Sequence, residues 1–441
     1  MDFMERFSSI MLEMVLIFLF SMTIFSSNLL VSIHAQKIVN PINISNNTGQ
    51  SVYPDVALGP NNIVYVVWQD NNNNNNGGSI NNTKRNDIYF KRSIDGGASF
   101  ETHPTKLSSN KSVGSSSELP QIAAAAGNNV YVVWQDYVGQ KSNVYFKRSI
   151  DGGASFEADA IKLSNSLHFA NDPQIAAYGN NVYVIWQDNA ATTEGKNTLF
   201  IKSNDGGNTF GNVVNLSNNK NNNGNPTNTN VSYPRVAAYS NNVYVTWNAY
   251  SSDYNTKTGK GFKMHHIFFR ASNDDGINFG ETIEFNHDMS SPSSSLQIAA
   301  ASNTALYFLW DNYNNLSANS DILFKKSIDG GNTFGNVVNL SNTDGDSKNP
   351  DIAVGPSSVW LSGSKKNNIV FVLWEDDSAI NWEIFLAKSI DGGNTFGNVV
   401  NLSNNEEDSS CPHIATDSAN AYVVWEDGDP KNNREIFFTK A

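Results

Sequence analysis

The chain has 441 residues, a formal net charge of −13 and only 16% charged residues, its polarity coming mostly from Asn, Ser and Gly. An acidic, arginine-poor chain argues against recognition of a phosphate backbone, which needs clustered Lys and Arg, so no nucleic-acid partner is expected. The single cysteine, Cys411, excludes an internal disulfide, and a closed β fold of this size needs none.

Met14–Ile33, MVLIFLFSMTIFSSNLLVSI, is almost uninterrupted apolar sequence, followed by His34-Ala35-Gln36. Ala35 before a polar stretch has the character of a signal-peptidase site, and the apolar run is also long enough to stay in a bilayer. Residues 1–35 are therefore read as a signal peptide or membrane anchor, and 36–441 as a single exported domain, secreted or at the cell surface. Membrane contact is expected only through the N-terminal segment, and the domain is expected to be a monomer.

From there the same four pieces recur. A proline-led strand comes first, as in Pro54-Asp55-Val56-Ala57, Pro120-Gln121-Ile122-Ala123 and Pro173-Gln174-Ile175-Ala176. Its later copies are Pro234-Arg235-Val236-Ala237, Leu296-Gln297-Ile298-Ala299, Pro350-Asp351-Ile352-Ala353 and Pro412-His413-Ile414-Ala415. A second strand carries Trp68, Trp134, Trp186, Trp247, Trp310, Trp374 or Trp425, spaced 51 to 66 residues apart. A third strand, such as DILFKKS from Asp321, leads into a turn, and a fourth, such as NVVNLS from Asn336, follows it. Alternating apolar residues, β-branched enrichment and Asn/Gly punctuation all read as strand.

Seven such units predict an all-β fold, a seven-bladed β-propeller of four-stranded blades, which hides its sheet edges by radial repetition. The seventh unit ends after its third strand, Glu435–Lys440, whereas Lys37–Asn46 precedes the first unit with a fourth-strand pattern. The N-terminal strand is expected to complete the last blade and close the ring.

The turn has the form S-x-D-x-G-x-x-F, and Ser327–Asn342 is repeated verbatim at Ser389–Asn404. Its aspartates are Asp95, Asp151, Asp205, Asp274, Asp329 and Asp391; its phenylalanines are Phe100, Phe156, Phe210, Phe279, Phe334 and Phe396. An aspartate here can accept main-chain N–H bonds, glycine relieves left-handed torsions, and the Phe is expected to anchor the turn in its blade. The turns resemble the Asp-box, or BNR repeat, of the sialidase-like propeller family, over nearly the whole domain. The resemblance implies a structural role for the boxes, away from the working face.

It also implies where a sialidase site would be sought. Sialidases hold a substrate carboxylate with three arginines, attack with a tyrosine partnered by glutamate, and use an aspartate as acid/base. After residue 36 this chain has only Arg85, Arg92, Arg148, Arg235, Arg270 and Arg434. Arg92 and Arg148 occupy matching positions before their turns and read as surface strand residues. Arg235 follows its proline, an order different from the family's Arg-Ile-Pro-type motif, and the family's six blades become seven.

A ring of polar residues is the better candidate site. Asp55, Gln121, Gln174, Arg235, Gln297, Asp351 and His413, each following the strand-leading proline or its counterpart, are expected at the mouth of the central channel. The alanines two residues on (Ala57 and its equivalents) are expected to fit where inner strands crowd the axis. Variable connections, at 71–86, 218–232 and 249–265, gather on the face opposite the boxes, a mark of the binding face in repeat proteins.

Other chemistry has weaker signals. Gln69-Asp70, Gln135-Asp136, Glu375-Asp376, Glu426-Asp427 and their equivalents, with Asp344-Gly345-Asp346 and Asp427-Gly428-Asp429, offer oxygens for Ca²⁺ without a complete calcium loop; capping turns is their alternative role. Trp382 and Tyr250 could stack on a sugar or simply pack locally. His265-His266 lacks further ligands for zinc, and no cofactor is expected.

The expected function is ligand binding, to a glycan or surface protein, on the face opposite the boxes and without catalysis. The alternative is a diverged glycoside hydrolase of sialidase-like type. That alternative needs paired carboxylates or a Tyr–Glu pair around Arg235, for which Asp172, Tyr233, Asp351 and Glu118 are the nominees. Sequons such as Asn215-Leu216-Ser217 and Asn339-Leu340-Ser341 permit glycosylation.

Overall fold

The computed structural model describes residues 38–71, 85–109, 115–125, 127–166, 168–189, 196–217, 230–255, 260–289, 295–314, 318–356, 367–417, 419–429 and 433–441. Residues 1–35, most of the connections at 71–86 and 218–232, and the insertion containing Trp360 lie outside the described residues, as do the side chains of 250–265.

Among the described residues the chain is all β, with no α-helix. Ser51–Leu58, Val64–Asp70, Asp87–Ser93 and Thr105–Lys106 form the first antiparallel sheet, in that order from edge to edge. Four further four-stranded sheets repeat the plan. Residues 115–162 and 169–215 follow it too, but one parallel bridge, Phe169 with Ser142, links their strands into a single eight-stranded sheet. In the last sheet the fourth strand is Ile42–Asn43, from the other end of the sequence; it pairs with Phe438 and Phe437.

Second strands such as VYVVWQD are buried throughout, as expected of strands covered on both sheet faces. The core is a series of layers between successive sheets. Tyr65, Phe90 and Leu107 of the first unit pack with Val130, Val132 and Trp134 of the second. A similar layer joins Val66 and Trp68 of the first unit to Tyr422, Val424 and Phe438 of the seventh. All seven repeated tryptophans are at most 2% exposed. Ala57 and Ala237 lie in these layers, where the small side chain takes part in sheet-to-sheet packing.

Most fourth strands are only two residues long, shorter than their apolar pattern predicts. A serine extends the pairing instead. Ser108, Ser164 and Ser403 accept the third-strand amides of Ile88, Val144 and Ile384 at 2.9–3.0 Å, and Ser45 accepts that of Ile436 at 2.8 Å. This explains why serine follows leucine in N-L-S and K-L-S alike: Ser217 and Ser341 also accept third-strand amides, at 3.1 and 3.0 Å.

The box turn works as its residues predict. Ser93 Oγ accepts the Gly97 amide at 2.9 Å and donates to Asp95 Oδ1 at 2.6 Å. Asp95 then accepts the amide and the hydroxyl of Ser99, at 2.9 and 2.5 Å. Equivalent bonds to Asp151, Asp205, Asp274, Asp329 and Asp391 recur in the other five copies. These donors favour the charged carboxylate, holding Asp95, Asp151, Asp274 and Asp329 down at about 2.

The box phenylalanine reaches beyond its own sheet. Phe156 meets Phe90 of the preceding unit edge-on at 4.9 Å, Phe210 meets Phe146 at 4.9 Å, and Phe100 meets Phe438 of the last unit at 5.0 Å. Arg92 and Arg148 are likewise not simple surface residues. Arg92 pairs with Glu101 at 2.7 Å and donates Nη1 to Gly152 O of the next turn at 2.8 Å; Arg148 does the same with Glu157 and Gly206 O.

The second box glycine lies over the same ring that receives the phenylalanine. Gly153 has φ +74°, and a β-carbon there would lie 2.7 Å from Phe90 Cζ. Gly153→Ala combines left-handed strain of about 1–2 kcal/mol with overpacking of about 1–3 kcal/mol. Gly139 has a similar φ of +64° with nothing within 4 Å. Gly153→Ala is therefore expected to lower the melting temperature clearly more than Gly139→Ala, measured side by side by thermal denaturation.

Candidate functional site

The site is set by an irregularity in the first strands. Tyr53, Leu119, Asp172, Tyr233, Asn349 and Cys411 all have φ between 47° and 52°, and each immediately precedes the strand proline. The pairing register slips at each of these points, for example between Val52 and Asp55 and between Glu118 and Gln121. One extra residue is accommodated there as a bulge, where proline costs no ladder bond. Left-handed backbone at a non-glycine residue costs of order 1–3 kcal/mol and persists only where its surroundings hold it.

The residue after the tryptophan of the preceding unit supplies that hold. Gln69 Oε1 accepts the Leu119 amide at 2.8 Å, and Gln135 Oε1 accepts that of Asp172 at 3.1 Å. Glu375 accepts the Cys411 amide at 2.8 Å, and Glu426 of the last unit accepts the Tyr53 amide at 2.7 Å. The next aspartate caps its own unit: Asp136 accepts from the Trp134 indole at 2.7 Å and Ser117 at 2.5 Å, and Asp427 from Trp425 at 3.1 Å and Ser409 at 2.8 Å. The repeated carboxylates thus cap strands. The fifth unit lacks the proline; there Asp311 accepts the Ser295 amide at 3.0 Å.

Asp55, Gln121, Gln174, Arg235, Gln297, Asp351 and His413 all line one cavity of about 460 Å³. The pre-proline residues join them, putting Tyr53, Asp172, Tyr233 and Cys411 in the same wall. As a set these residues do not stand out in the sequence, where an X-Pro step at one place in six units is the signal that marks them. The strand register separates this cavity from the boxes. Box turns follow the strand ends near Leu58, Val64 and Ser93, whereas Tyr53 lies toward the opposite ends, near Ser51 and Asp70.

Asp55 and Asp351 are built alike. Asp55 accepts the Val56 amide at 2.8 Å and, across to the next unit, that of Ile122 at 2.8 Å. Asp351 accepts those of Ile352 and Ile414 at 2.9 and 3.0 Å. His413 Nδ1 stands between them, 3.5 Å from Asp55 and 3.4 Å from Asp351. Burial pushes the Asp55 carboxyl up to about 6, against the pull of His413 and the two amides. Burial pulls the His413 imidazole down, but its hydrogen bond to Asp351 and the charges of both aspartates outweigh that and leave it raised. Arg235 donates Nε to Gln297 Oε1 at 3.1 Å and Nη1 to the Pro234 carbonyl at 2.9 Å. Burial raises Asp172, and the Arg235 charge opposes the rise.

Of the four hydrolase nominees, Asp172, Tyr233 and Asp351 line the cavity with Arg235, and Glu118 is not among its lining residues; Glu118 accepts from Ser116 Oγ at 2.9 Å. Trp382 lies under the Lys348 ammonium, 5.3 Å from its ring centre. His266 pairs with Glu284 at 2.7 Å, while the side chains of His265 and Tyr250 lie outside the described residues. Asp346 accepts the Ser320 amide at 2.8 Å and pairs with Lys348 at 2.7 Å. Among the described residues no cluster of three His, Cys, Asp or Glu side chains is placed to hold a metal ion.

Glu375 provides a pH test of the wall. Burial, with the Glu426 charge adding to it, pushes Glu375 up to about 7 despite the Cys411 amide, Asn349 and Arg434. A carboxyl that binds its proton more tightly when folded contributes stability that is lost as pH rises from the ordinary glutamate range through 7. Units one to three carry Gln at this place. Glu375→Gln is therefore expected to gain stability relative to the native chain between pH 5 and pH 8, read as the difference in melting temperature at the two values.

No protein-family model matches the chain, and no curated protein does. Among solved structures it is similar to an ulvan lyase, from a new family of polysaccharide lyases, with a TM-score of 0.58 at 11% identity over 91% of this chain and 95% of that one. The same lyase bound to -[GlcA(1-4)Rha3S]- gives 0.54 at 12% identity, over 91% and 93%. A Hadza microbial sialidase, Hz136, is matched at 0.48 and 12%, over 92% and 96%. At 11–12% identity the likeness to the lyase is one of fold.

Proposed function

We propose that the seven units close into a seven-bladed propeller and that its central cavity binds a glycan without cleaving it. The ring reading is supported by three contacts between the ends of the series. Phe100 lies against Phe438, the first and last units share a core layer, and Ser51–Leu58 packs beside Ser409–Thr416 as it does beside Ser115–Ala125. Strand Ile42–Asn43 then completes the last blade. The apolar segment at 14–33 supports an exported protein, secreted or held at the cell surface.

The observation that carries the binding reading is the convergence of seven polar side chains, one from each unit, on one cavity. Glutamine amides both donate and accept, as sugar hydroxyls do. Tyr53, 45% exposed, and Tyr233 offer ring faces to sugar C–H groups, and Arg235 offers one anchor for an anionic substituent. A concave polar pocket suits a saccharide better than a flat protein surface. The related fold solved with -[GlcA(1-4)Rha3S]- bound supports the same ligand class. Asp55 and Asp351 spend their carboxylate oxygens on main-chain amides, which favours binding over catalysis.

The hydrolase reading has one observation of its own: Asp172, raised by burial, shares the cavity with Tyr233 and Arg235. A glycan array on the domain tests both. Arg235→Ala is expected to weaken binding of an acidic oligosaccharide by about tenfold to a hundredfold, the loss of one charge-assisted contact. Release of new reducing ends by the native domain, abolished in Asp172→Asn, would replace binding by hydrolysis. For the ring, deletion of residues 37–46 is expected to lower the melting temperature more than Gly153→Ala does. An unchanged melting temperature would leave the ring without its closing strand.

A further inference from the structure

The turn face carries a second candidate site, at the junction of the fourth and fifth units. In six units a Lys or Arg stands at one place near the end of the third strand: Arg92, Arg148, Lys202, Lys326, Lys388 and Lys440. Five of them donate to a main-chain carbonyl of the following unit. The distances are 2.8 Å for Arg92 to Gly152, 3.0 Å for Arg148 to Gly206, 3.1 Å for Lys202 to Asp275, 3.0 Å for Lys326 to Gly392, and 3.2 Å for Lys388 to Ala419. An asparagine of the next turn adds a second acceptor. Asn208 Oδ1 receives Arg148 at 2.9 Å, and Asn394 Oδ1 receives Lys326 at 2.6 Å.

The fourth unit has Ala271 at this place. Its neighbour Arg270 turns toward the preceding unit, donating to Leu216 O at 3.0 Å. Among the described residues, no side chain donates to Gly330 O, the counterpart of Gly392 O. A cavity of about 500 Å³ lies there, lined by Ala271, Ser272, Asn303, Asp329, Gly330 and Asn332 among others. Asn332 is nevertheless set as its counterpart is. Its Nδ2 donates to Asp329 O at 2.7 Å, as Asn394 Nδ2 donates to Asp391 O at 2.6 Å. Asp329, the only charged residue among the described residues of the lining, is held at about 2 by hydrogen bonds from Thr333 and Ser327 and is therefore an anion at neutral pH.

We propose that this cavity binds a primary ammonium group supplied from outside the chain, in the place that Lys326 fills at the next junction. An ammonium has three donors and no acceptor, matching Gly330 O and Asn332 Oδ1 with the Asp329 charge nearby. The group comes either from a free alkylamine or from a lysine of a partner protein.

Titration calorimetry of the domain with n-butylammonium, which has the four-carbon stem of lysine, tests this. Saturable binding is expected, with none for sodium or tetramethylammonium at equal ionic strength, since neither has an N–H. Ala271→Lys should weaken butylammonium binding at least tenfold while raising the melting temperature, because the chain then supplies its own cation. Lys326→Ala should add a second equivalent site. A blocked single-lysine peptide binding more tightly than butylammonium assigns the group to a partner's lysine; equal binding assigns it to a small amine. Butylammonium that binds native and Ala271→Lys domains equally would overturn the proposal. So would no binding at ~10 mM, where a millimolar site is nearly filled.

Discussion

The fold depends on a contact that leaves no room for a β-carbon. In each of the six box turns the second glycine lies against a third-strand phenylalanine of the preceding unit, Phe438, Phe90, Phe146, Phe200, Phe269 or Phe324. Its positive φ lets the turn reverse, and its missing side chain lets the turn settle on the neighbouring ring. One residue thus joins local turn geometry to the packing between sheets. The box phenylalanine then closes on the same ring edge-on, a favoured aromatic arrangement. The charged half of the turn, Asp95 and its equivalents, keeps the loop rigid enough for that contact to be made.

The cavity is organised by the same kind of relay, running on the other ends of the strands. In six units the pre-proline residue sits in a costly backbone conformation, and in four junctions a Gln or Glu of the neighbouring unit secures its amide. Side chains of the strained residues and of those after the proline therefore face one space from fixed positions. A ligand entering it meets groups whose ordering entropy was spent in folding, which is the physical content of preorganisation. The wall is uneven in charge. Units one, three, six and seven contribute Asp55, Asp172, Asp351 and His413, with Arg235 from unit four and glutamines from units two, three and five.

Much of this was legible in the sequence because repetition multiplies weak signals. One S-x-D-x-G-x-x-F turn says little; six, 54 to 69 residues apart, define the repeat and the role of its aspartates. The ring of residues after the proline could be read because every copy offered a polar side chain there, or in one case a histidine. Relations between units were not legible. Nothing in a single unit says that Phe156 meets Phe90 or that Arg92 reaches Gly152, since partners in the next repeat leave no local periodicity. The left-handed residues were missed for a related reason: the proline marked a strand start, whereas the strand begins earlier and bulges at that point. Most fourth strands were overread, because the serine that follows them mimics a longer strand pattern while bonding through its hydroxyl.

The pairing of Ile42 with Phe438 has a consequence for how the molecule is made. The two residues are far apart in the sequence, so this sheet cannot be completed until the strand carrying Phe438 has been made. Until then strand Ile42–Asn43 must wait unpaired. Long-range pairing of this kind slows folding, and incomplete chains present open sheet edges to one another. The pairing thus acts as a check on synthesis: a product that stops short of Phe438 lacks the partner for Ile42.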